Sequence, residues 1–599
     1  MTAVESPTRA SRAGARWRRE LGGLLATEVA TFLLTVVVLQ LWRARARVPF
    51  YSCAAPVGKG GSGCDAVWFA GVTKTVLANG WYFDNSKLGF PTGSNLRDFP
   101  TLDLWHALYL NAFSLISHDW ALAMNSLYVG SFLLIAAASY FALRGLHVRR
   151  AIAAGGAVIT AFLPYHLVRN EAHLILADYF VIPLIVMLAV VQLSDRPWFR
   201  LRGGWQSSRW RWLAAIAIAV LAGGTARYYS VMGALLLLLP ALFASLVRRR
   251  AEPALSALVL VGILGVVLGA QLVPTLLNNR EHGRNTAFDR PLAEQDVYSL
   301  RPLLLLAPRD GHRISELSSI ADRYGETPRP SENGEAVGLV AALGLIGLFG
   351  ASLAPLVGRP GLRHSYDRGL ALVAGTALLL GITAGAGEFL SMFGLSEVRA
   401  WNRISVFIAF AGVAAAARFL DRQMTRRAVP RQWLVLIVAL CVVVAVFDQT
   451  SRDDVPKYDA TAAQFTREQA FVQDIEHAVG DRAAILQLPY AGFPEGGPVV
   501  RMPDYSQLRG WLYSDTLRWS FGAIRGRPNW QDGQRALSIP DQLRRARGAG
   551  FSAVWVDRRG FVDSGAAVEK KLRACLGPPI LVESDNFRVL YDLRAPPHC

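Results

Sequence analysis

Apolar residues lie in long continuous blocks along the first three quarters of the chain, separated by shorter arginine-rich segments. A transmembrane α-helix needs about 20 predominantly apolar residues, so each block predicts one membrane-spanning helix, the shorter blocks being extended by their flanks. The pattern predicts a mainly α, polytopic membrane helical bundle with about eleven spans. The blocks lie near 21–41, 121–143, 151–163, 174–193, 212–223, 229–247, 254–277, 336–357, 369–385, 404–419 and 433–446.

Composition excludes a soluble multidomain enzyme as the main interpretation. The 599 residues are 52% hydrophobic and 18% charged, with a mean hydropathy of +0.28, whereas soluble domains carry about 25% charged residues. The formal net charge of +18 would fit nucleic-acid binding in a soluble protein, but no basic–aromatic nucleic-acid module occurs. Cytoplasmic loops of membrane proteins collect Lys and Arg, so we expect the bilayer, and no nucleic acid, as a partner.

Arginine placement predicts the orientation. With residues 1–20 as a basic cytoplasmic N-terminus, alternate loops carry the clusters, and an odd number of spans leaves the C-terminus outside. The triplet Arg43, Arg45 and Arg47, just outside the first span, is an exception. That first block could instead be a cleaved signal peptide, but Leu41-Trp42-Arg43 follows it rather than a small-residue cleavage site, which favours a helix. The clusters predicted to lie inside are at 9–19, 144–150, 196–211, 248–250, 359–368 and 418–431.

The chain is expected to divide into a transmembrane domain, 21–447, and a soluble extracytoplasmic tail, 448–599. Extracytoplasmic loops 42–120 and 278–335 interrupt the transmembrane domain. In the tail, apolar runs at 484–488 and 553–556 predict strands, and the patterns at 467–479 and 541–549 predict helices. About 150 residues are enough for one small α/β domain.

Cysteine positions support this topology independently. Cys53 and Cys64 form one sequence-local pair and Cys575 and Cys599 another, all four in segments predicted to lie outside. An oxidising compartment favours two disulfides, with free thiols as the alternative. Cys441 falls within the last apolar block, as expected of a small buried apolar residue. Metal-site spacing of Cys and His is absent from the sequence.

Asp65 has the strongest catalytic context in the first loop. It follows the first membrane helix after a short linker and begins the run Asp65-Ala66-Val67-Trp68-Phe69. A carboxylate at the membrane surface beside aromatic residues is suited to general-base work on a sugar or lipid hydroxyl. The alternative is a helix N-cap or a solvated loop residue. Asp98 and Asp103, later in the same loop, are further candidates.

The order of membrane helix, early Asp, amphipathic helix and Pro-Thr-Leu-Asp-Leu-Trp (100–105) resembles the GT-C superfamily of integral-membrane glycosyltransferases. That family's first-loop aspartate would be Asp65, and its Lys-Pro-Pro-Leu-like stretch would fall at 98–102, where Asp98 replaces the basic residue. Phe90-Pro91-Thr92-Gly93, with Gln487–Tyr490 and Leu517–Ser520 in the tail, resembles the bacterial YfhO-like branch more closely still.

The resemblance implies inverting transfer of a hexosyl or pentosyl group from a polyprenyl-phosphate-linked donor. The acceptor would be a cell-envelope glycan, lipid or protein at the outer face of the bacterial cytoplasmic membrane. The sequence requires no cofactor; a divalent cation such as Mg or Mn is compatible with the family, and the metal ligands are unknown. Rossmann and P-loop motifs do not occur in the sequence, in accord with a donor other than a nucleotide sugar.

A lipid-phosphate donor needs cations near the membrane interface and an apolar groove, with interfacial anchoring as the alternative role for such residues. Asp178, about one turn into the fourth predicted span, is also a candidate, because ionisable residues at that depth are often functional. Donor-binding candidates are Arg169, His173, Arg227 and Arg403, and further outward-facing candidates are His166, Tyr228, Tyr229 and Arg399.

Two other classes remain open: a transporter of lipid-linked sugar or polymer, and a non-catalytic membrane protein of envelope assembly. A transporter should show two similar halves, whereas this chain has one large asymmetric tail. A scaffold would need neither Asp65 nor the outward cations. Transfer of sugar from a synthetic polyprenyl-phosphate donor would separate these classes.

Topology can be tested with fusions. A reporter that is active only outside the cytoplasm should be active when fused after Cys599 and silent when fused after Arg250, because arginine-rich loops are retained inside. The reverse pattern would invert every loop assignment made from the charge distribution.

Overall fold

The computed structural model describes residues 9–51, 65–200, 205–325 and 334–599. As far as Gln449 the described chain is mainly helical, with one short hairpin, β1 (Asp84–Asn85) and β2 (Ser94–Asn95), in the first loop. The helices of this part are α1 (Arg9–Leu39), α2 (Asp65–Asn79), α3 (Leu104–Ser114), α4 (Trp120–Gly145), α5 (Arg150–Ala161), α6 (Pro164–Arg169), α7 (Leu174–Ala177), α8 (Val181–Gln192), α9 (Trp205–Gly224), α10 (Arg227–Arg248), α11 (Glu252–His282), α12 (Ala293–Val297), α13 (Pro302–Leu306), α14 (Ser315–Gly325), α15 (Leu339–Leu353), α16 (Ser365–Gly381), α17 (Ala386–Leu390), α18 (Ser405–Arg426) and α19 (Arg431–Gln449).

Nine helical segments within the described ranges are long and apolar enough to cross a membrane. The other two predicted blocks lie on α9 and α16, which have 20 and 17 residues. The predicted polytopic helical bundle is therefore confirmed. The nine segments are Trp17–Leu39, Trp120–Gly145, Arg150–Arg169, Glu171–Gln192, Arg227–Arg248, Glu252–His282, Leu339–Val357, Trp401–Arg426 and Arg431–Gln449.

Small residues bring α15 and α18 into backbone contact. A Cβ on Gly344 would overlap the carbonyl oxygen of Gly412, and a Cβ on Gly412 would overlap the carbonyl oxygen of Ala341. Helices in lipid gain little from apolar burial against each other, so close packing through small residues is a main source of their association. Either glycine can be replaced only if the two helices separate.

The basic loops and the tail lie at opposite ends of the bundle. Near the N-terminal end of α1, the Glu20 carboxylate binds Arg144 and Arg150, each at 2.7 Å. At the other end of α1, the Tyr458 hydroxyl donates to the Leu39 carbonyl at 2.8 Å. The arginines predicted to lie inside are thus separated from the tail by the length of the bundle; which end faces the cytoplasm stays a prediction.

The tail contains one mixed sheet flanked by helices. Its helices are α20 (Tyr458–Val479), α21 (Leu508–Tyr513), α22 (Ile539–Gly548) and α23 (Ala566–Leu576), and its strands are β3 (Ala484–Leu488), β4 (Arg518–Trp519), β5 (Phe551–Asp557), β6 (Leu581–Val582) and β7 (Arg588–Asp592). The strand order is β4-β3-β5-β7-β6; β3 pairs in parallel with β4 and β5, and β7 pairs antiparallel with β5 and β6. Both predicted strands and both predicted helical patterns coincide with elements of this sheet domain.

A buried ionic cluster joins α20 to the sheet. The Glu468 carboxylate, 2% exposed, binds Arg509 at 2.6 Å and Arg588 at 3.1 Å, and Arg588 also binds Glu583 at 2.9 Å. Burial alone would raise the pKa of Glu468, but the two guanidinium groups lower it to about 2. Its contribution to stability is therefore present at neutral pH and is lost only as the pH falls through about 2.

Cys575 and Cys599 form a disulfide, which ties the end of α23 to the end of the chain and confirms that predicted pair. The thiol of Cys441, on α19, is free. The predicted pair Cys53 and Cys64 lies outside the described residues.

Removing the charge of Glu468 should destabilise the tail. Glu468→Gln leaves the Arg509 guanidinium buried without its carboxylate, and breaking a buried pair typically costs about 3–5 kcal/mol. We expect a clearly lower melting temperature for the detergent-solubilised full chain by intrinsic fluorescence. Asp474→Asn, at an exposed position of the same helix, is the control and should change stability by less than about 0.5 kcal/mol; equal melting temperatures for both variants would contradict the prediction.

Candidate active site

One cavity of about 1450 Å³ lies between the membrane helices, the two long loops and the tail. It brings together most of the residues predicted to be catalytic or to bind the donor; Asp178, His166 and Tyr229 are not among its lining residues. The predicted residues on its walls are Asp65, Asp98, Asp103, Arg169, His173, Arg227, Tyr228 and Arg403. Residues separated by more than 300 positions thus surround one space.

Asp65 is the first residue of α2, and its Oδ2 lies 3.1 Å from Nε2 of His173. Both side chains are partly open, at 28% and 19% exposure, so the carboxylate remains accessible to a ligand while the imidazole fixes its direction. A carboxylate at a helix N-terminus is also favoured by the helix dipole. His173, predicted as a phosphate ligand, is therefore a partner of Asp65 in this arrangement.

A break between two membrane-spanning segments puts His173 in reach of Asp65. Asn170 has φ +37° and its side chain caps the following turn at Ala172. The Glu171 carboxylate accepts the backbone N–H groups of Phe50 and Tyr51 at 3.1 and 3.2 Å. The turn is thereby bound to the segment that follows α1, and the His173 ring is held at the cavity wall.

The tail adds a second carboxylate near Asp65. Asp504 accepts the backbone N–H groups of Tyr505 and Gly497 at 2.9 and 3.2 Å. Burial raises the pKa of Asp504 to about 6, and the negative charges of Asp65 and Glu495 add to that increase. With Glu495, Asp504 therefore completes the acidic side of the cavity.

Aromatic stacking holds that loop in place. The Tyr505 ring stacks on the Trp68 ring of α2, with centroids 5.3 Å apart, and its hydroxyl accepts the Glu495 N–H at 2.9 Å. The Phe493 ring packs against the same Trp68 at 5.3 Å. The tail therefore covers the end of α2 directly beside Asp65.

Cationic side chains from three elements, Arg169, Arg227 and Arg403, also line the cavity. Arg227, the first residue of α10, donates to the carbonyl of Pro100. The Arg403 guanidinium lies 4.3 Å from the centre of the Tyr228 ring, and the Arg169 guanidinium lies 5.0 Å from that of Tyr165. Phosphate oxygens are well matched to such a group of guanidinium donors.

The membrane side of the cavity is apolar. Its lining there comes from α7, α10 and α11 and consists of aliphatic side chains, Ile175, Leu176, Val231, Leu268 and Leu272. An aliphatic wall below a ring of cations suits a ligand with an apolar chain and a phosphate headgroup.

Three acidic candidates have structural contacts that the sequence could not reveal. Asp98 binds Arg527 at 2.6 and 2.8 Å and is only 3% exposed; burial raises its pKa, but this pair and two Asn hydrogen bonds lower it overall. Oδ1 of Asp103 caps α3 by accepting the His106 N–H at 3.0 Å. Asp178 does not line the cavity; its Oδ2 lies 3.7 Å from Nε2 of His106.

Two residues expected to face outward are buried instead. His166 contacts the Ser131 hydroxyl at 2.8 Å and is fully buried. The Tyr229 hydroxyl donates to the Leu176 carbonyl at 2.6 Å and is also buried. His166 lies on the short helix α6 and Tyr229 on the long helix α10; Arg169 and Tyr228, on the same two helices, line the cavity, whereas His166 and Tyr229 point into the bundle. Arg399 does line the cavity.

Sequence analysis missed the contribution of the second loop. Arg290 binds Glu495 of the tail at 2.5 Å, and Arg399 binds Glu294 at 2.6 Å. The Arg525 guanidinium lies 4.8 Å from the centre of the Phe288 ring. The high charge density of 278–335 was the available signal, but charge density does not tell which partners a loop will meet.

Within the described ranges, no three or more His, Cys, Asp or Glu side chains form a cluster that could hold a metal ion. Asp65 and His173 supply two donor groups of kinds that Zn²⁺ or Mn²⁺ accepts. The compatibility with Mg or Mn stays a prediction.

No protein-family model matches this chain, and no curated protein matches it. Among solved structures, apo ArnT from Cupriavidus metallidurans has a TM-score of 0.50 at 13% identity, over 94% of this chain and 97% of that one. The structure of the same protein bound to undecaprenyl phosphate has a TM-score of 0.49 at 13% identity, over 95% of this chain and 98% of that one. The Archaeoglobus fulgidus oligosaccharyltransferase in complex with Zn and sulfate has a TM-score of 0.47 at 12% identity, over 89% of this chain and 68% of that one. The likeness to apo ArnT confirms the predicted fold, a polytopic helical bundle with a C-terminal domain.

The raised pKa of Asp504 predicts a pH-dependent gain in stability when its charge is removed. Because the folded-state pKa of Asp504 is raised, the wild-type protein loses stability as the pH rises through about 6. Between pH 4 and 7.5, the free energy of unfolding of Asp504→Asn should therefore increase by about 1–3 kcal/mol relative to that of wild type. The difference in melting temperature at several pH values measures this gain. Asp481→Asn, at an exposed position of the tail, is the control; a difference for Asp504→Asn that stays constant with pH would refute the prediction.

Proposed function

We propose that this chain is a multi-pass membrane glycosyltransferase that moves a sugar from a polyprenyl-phosphate-linked donor to an acceptor hydroxyl. The observation that carries the proposal is the position of Asp65. It is oriented by His173 at 3.1 Å and borders the same cavity as Arg227, Arg403 and the aliphatic wall of α11. A base, phosphate-binding cations and an apolar surface are the three features that such a reaction needs in one space.

In the proposed reaction, the oxygen of the acceptor hydroxyl attacks the anomeric carbon of the donor sugar while Asp65 accepts its proton. The bond between that carbon and the phosphate oxygen breaks, and polyprenyl phosphate leaves from the opposite face with the electron pair. The anomeric configuration is therefore inverted. A phosphate is a good leaving group, so positive charge at Arg227 and its neighbours takes the place of a general acid.

His173 is assigned the role of a positioning residue rather than a phosphate ligand, because its ring is engaged with Asp65. The Arg169, Arg227 and Arg403 side chains, together with Tyr228, form the proposed phosphate site. Asp504 and Glu495 are placed to bind hydroxyl groups of the sugar or acceptor, since both line the cavity on the Asp65 side.

We place the reaction at the outer face of a bacterial cytoplasmic membrane, with the N-terminus inside and the tail outside. The arginine distribution supports this orientation, and the disulfide between Cys575 and Cys599 is in accord with an oxidising compartment. Membership of the YfhO-like branch, the choice of hexose or pentose and the class of acceptor belong to the same proposal.

Replacing Asp65 by Asn should abolish most transfer without unfolding the protein. The change keeps size and hydrogen bonding but removes the base, and general-base catalysis is worth about 10²–10⁴-fold. We expect at least about a hundredfold loss of sugar transfer from a synthetic polyprenyl-phosphate donor, measured with purified protein in detergent.

Asp119→Asn is the matched control, because Asp119 is also an aspartate at the N-terminus of a helix, α4, which it caps by accepting the Leu122 N–H at 2.9 Å. It lies apart from the residues that line the cavity and should retain activity. Near wild-type transfer by Asp65→Asn would mean that Asp65 is structural. A product that retains the donor's anomeric configuration would exclude direct displacement.

A further inference from the structure

A second groove, of about 1220 Å³, lies at the tail-side end of the bundle between α1 and α19. Both helices pack on α5 and leave a gap between their ends. The connection from α19 to α20 folds over this gap and is fixed there, since the Tyr458 hydroxyl donates to the Leu39 carbonyl at 2.8 Å. The groove is separate from the Asp65 cavity, and the two share no lining residue.

The wall of this groove is apolar and faces outward. Val37 is 60% exposed, Val443 is 62% exposed and Phe447 is 48% exposed. All three lie on segments long and apolar enough to cross a membrane, so the surrounding medium of this wall is lipid. Trp42, 66% exposed, stands at the mouth of the groove, where indole rings favour the headgroup level.

The rim of the groove is cationic. Four basic side chains, Arg43, Arg313, Arg452 and Lys457, face two carboxylates, Asp453 and Asp459. Arg43 forms an ion pair with Asp459 at 3.1 Å, and both side chains are exposed to solvent. The Arg313 guanidinium contacts the Thr450 hydroxyl at 3.2 Å and lies 5.8 Å from the centre of the Phe447 ring. The rim therefore keeps an excess of positive charge directly above an apolar wall.

The floor of the rim is rigid. Ser451 and Asp454 form a capping box, and the buried Asp454 carboxylate binds Arg309 at 2.7 Å through both of its oxygens. The backbone that carries Arg452 and Lys457 is therefore held in place before any ligand arrives, which lowers the entropic cost of binding.

The groove also explains an irregularity of the sequence. Arg43 belongs to the triplet Arg43, Arg45 and Arg47, which opposes the positive-inside distribution of the other arginines. Cations on the outer side of the first span weaken the topological signal, so a compensating use is expected. Arg47 lies 3.7 Å from Asp119, whereas Arg43 turns into the groove.

We propose that this groove binds an anionic phospholipid, with the acyl chains along α1 and α19 and the phosphate headgroup among Arg43, Arg313, Arg452 and Lys457. The chemistry that selects the ligand is a negative charge within reach of several cations combined with two apolar chains. This proposal does not depend on which reaction takes place at Asp65.

Trp42 provides a probe for the test. The full-length protein in detergent is titrated with phosphatidylglycerol brominated on its acyl chains and, separately, with brominated phosphatidylcholine. Bromine quenches a nearby indole, and the Trp42→Phe variant identifies the share of quenching that belongs to this site among the 16 tryptophans. We expect Trp42 to be quenched at several-fold lower concentration by the anionic lipid.

The double variant Arg43→Gln/Lys457→Gln should weaken binding of the anionic lipid by about fivefold for each cation removed. It should not change binding of phosphatidylcholine. Lys570→Gln/Lys571→Gln, on the exposed face of α23, makes the same change in net charge and should have no effect. Unchanged thermal unfolding of the Arg43→Gln/Lys457→Gln variant shows that it is folded. The single variant Arg43→Lys, which keeps the charge, should retain most of the wild-type affinity for the anionic lipid.

Three results would overturn the proposal. Equal quenching by the two lipids would indicate ordinary annular lipid. Equal weakening by the Lys570/Lys571 variant would indicate a non-specific effect of net charge. Displacement by unbrominated polyprenyl phosphate but not by unbrominated phosphatidylglycerol would make the groove a site for the donor lipid instead.

Discussion

The carboxylate of Asp98 joins the three segments that enclose the cavity. It lies in the first loop and binds Arg527 of the tail, Asn278 at the end of α11 and Asn285 in the second loop, at 2.5 to 3.0 Å. A buried carboxylate is costly unless it is paired and hydrogen-bonded, and here every contact comes from a different part of the chain. The cavity exists because these parts are held against one charge.

A second constraint lies within the bilayer-facing helices. The break between α6 and α7 brings His173 out of the helical register, and Glu171 fixes the break by binding Phe50 and Tyr51. The position of His173 beside Asp65 therefore depends on the packing of this break against the segment that follows α1, as well as on the identity of the side chains.

The fold was largely predictable, because a local run of apolar residues is enough to predict a membrane helix. The tail strands were also visible, since alternation is local. Asp65 and Arg227 could be chosen as candidates from their positions next to membrane segments. The acidic face made by Asp504 and Glu495 depends on how the tail packs against α2, which no local pattern predicts.

What the sequence could not supply were long-range partners. Asp98 was a catalytic candidate because it is a further carboxylate of the first loop, yet its principal partner, Arg527, is 429 positions away. Likewise, nothing local predicts that Arg290 will meet Glu495. Ion pairs between residues far apart in the sequence produce no local sequence pattern, whereas the apolar face of a helix or strand produces a periodic one.

The tail's share of the cavity has a consequence for biosynthesis. Asp504, Arg525 and Arg527 come after every membrane segment in the described chain, so Asp98 of the first loop can be paired with Arg527 only after the tail has been made. Asp65 and Asp98 emerge early in synthesis, while the groups that enclose them are made last. In a chain still being translated, we therefore expect the cavity to lack its tail-side wall until the segment that contains Asp504 and Arg525 has folded.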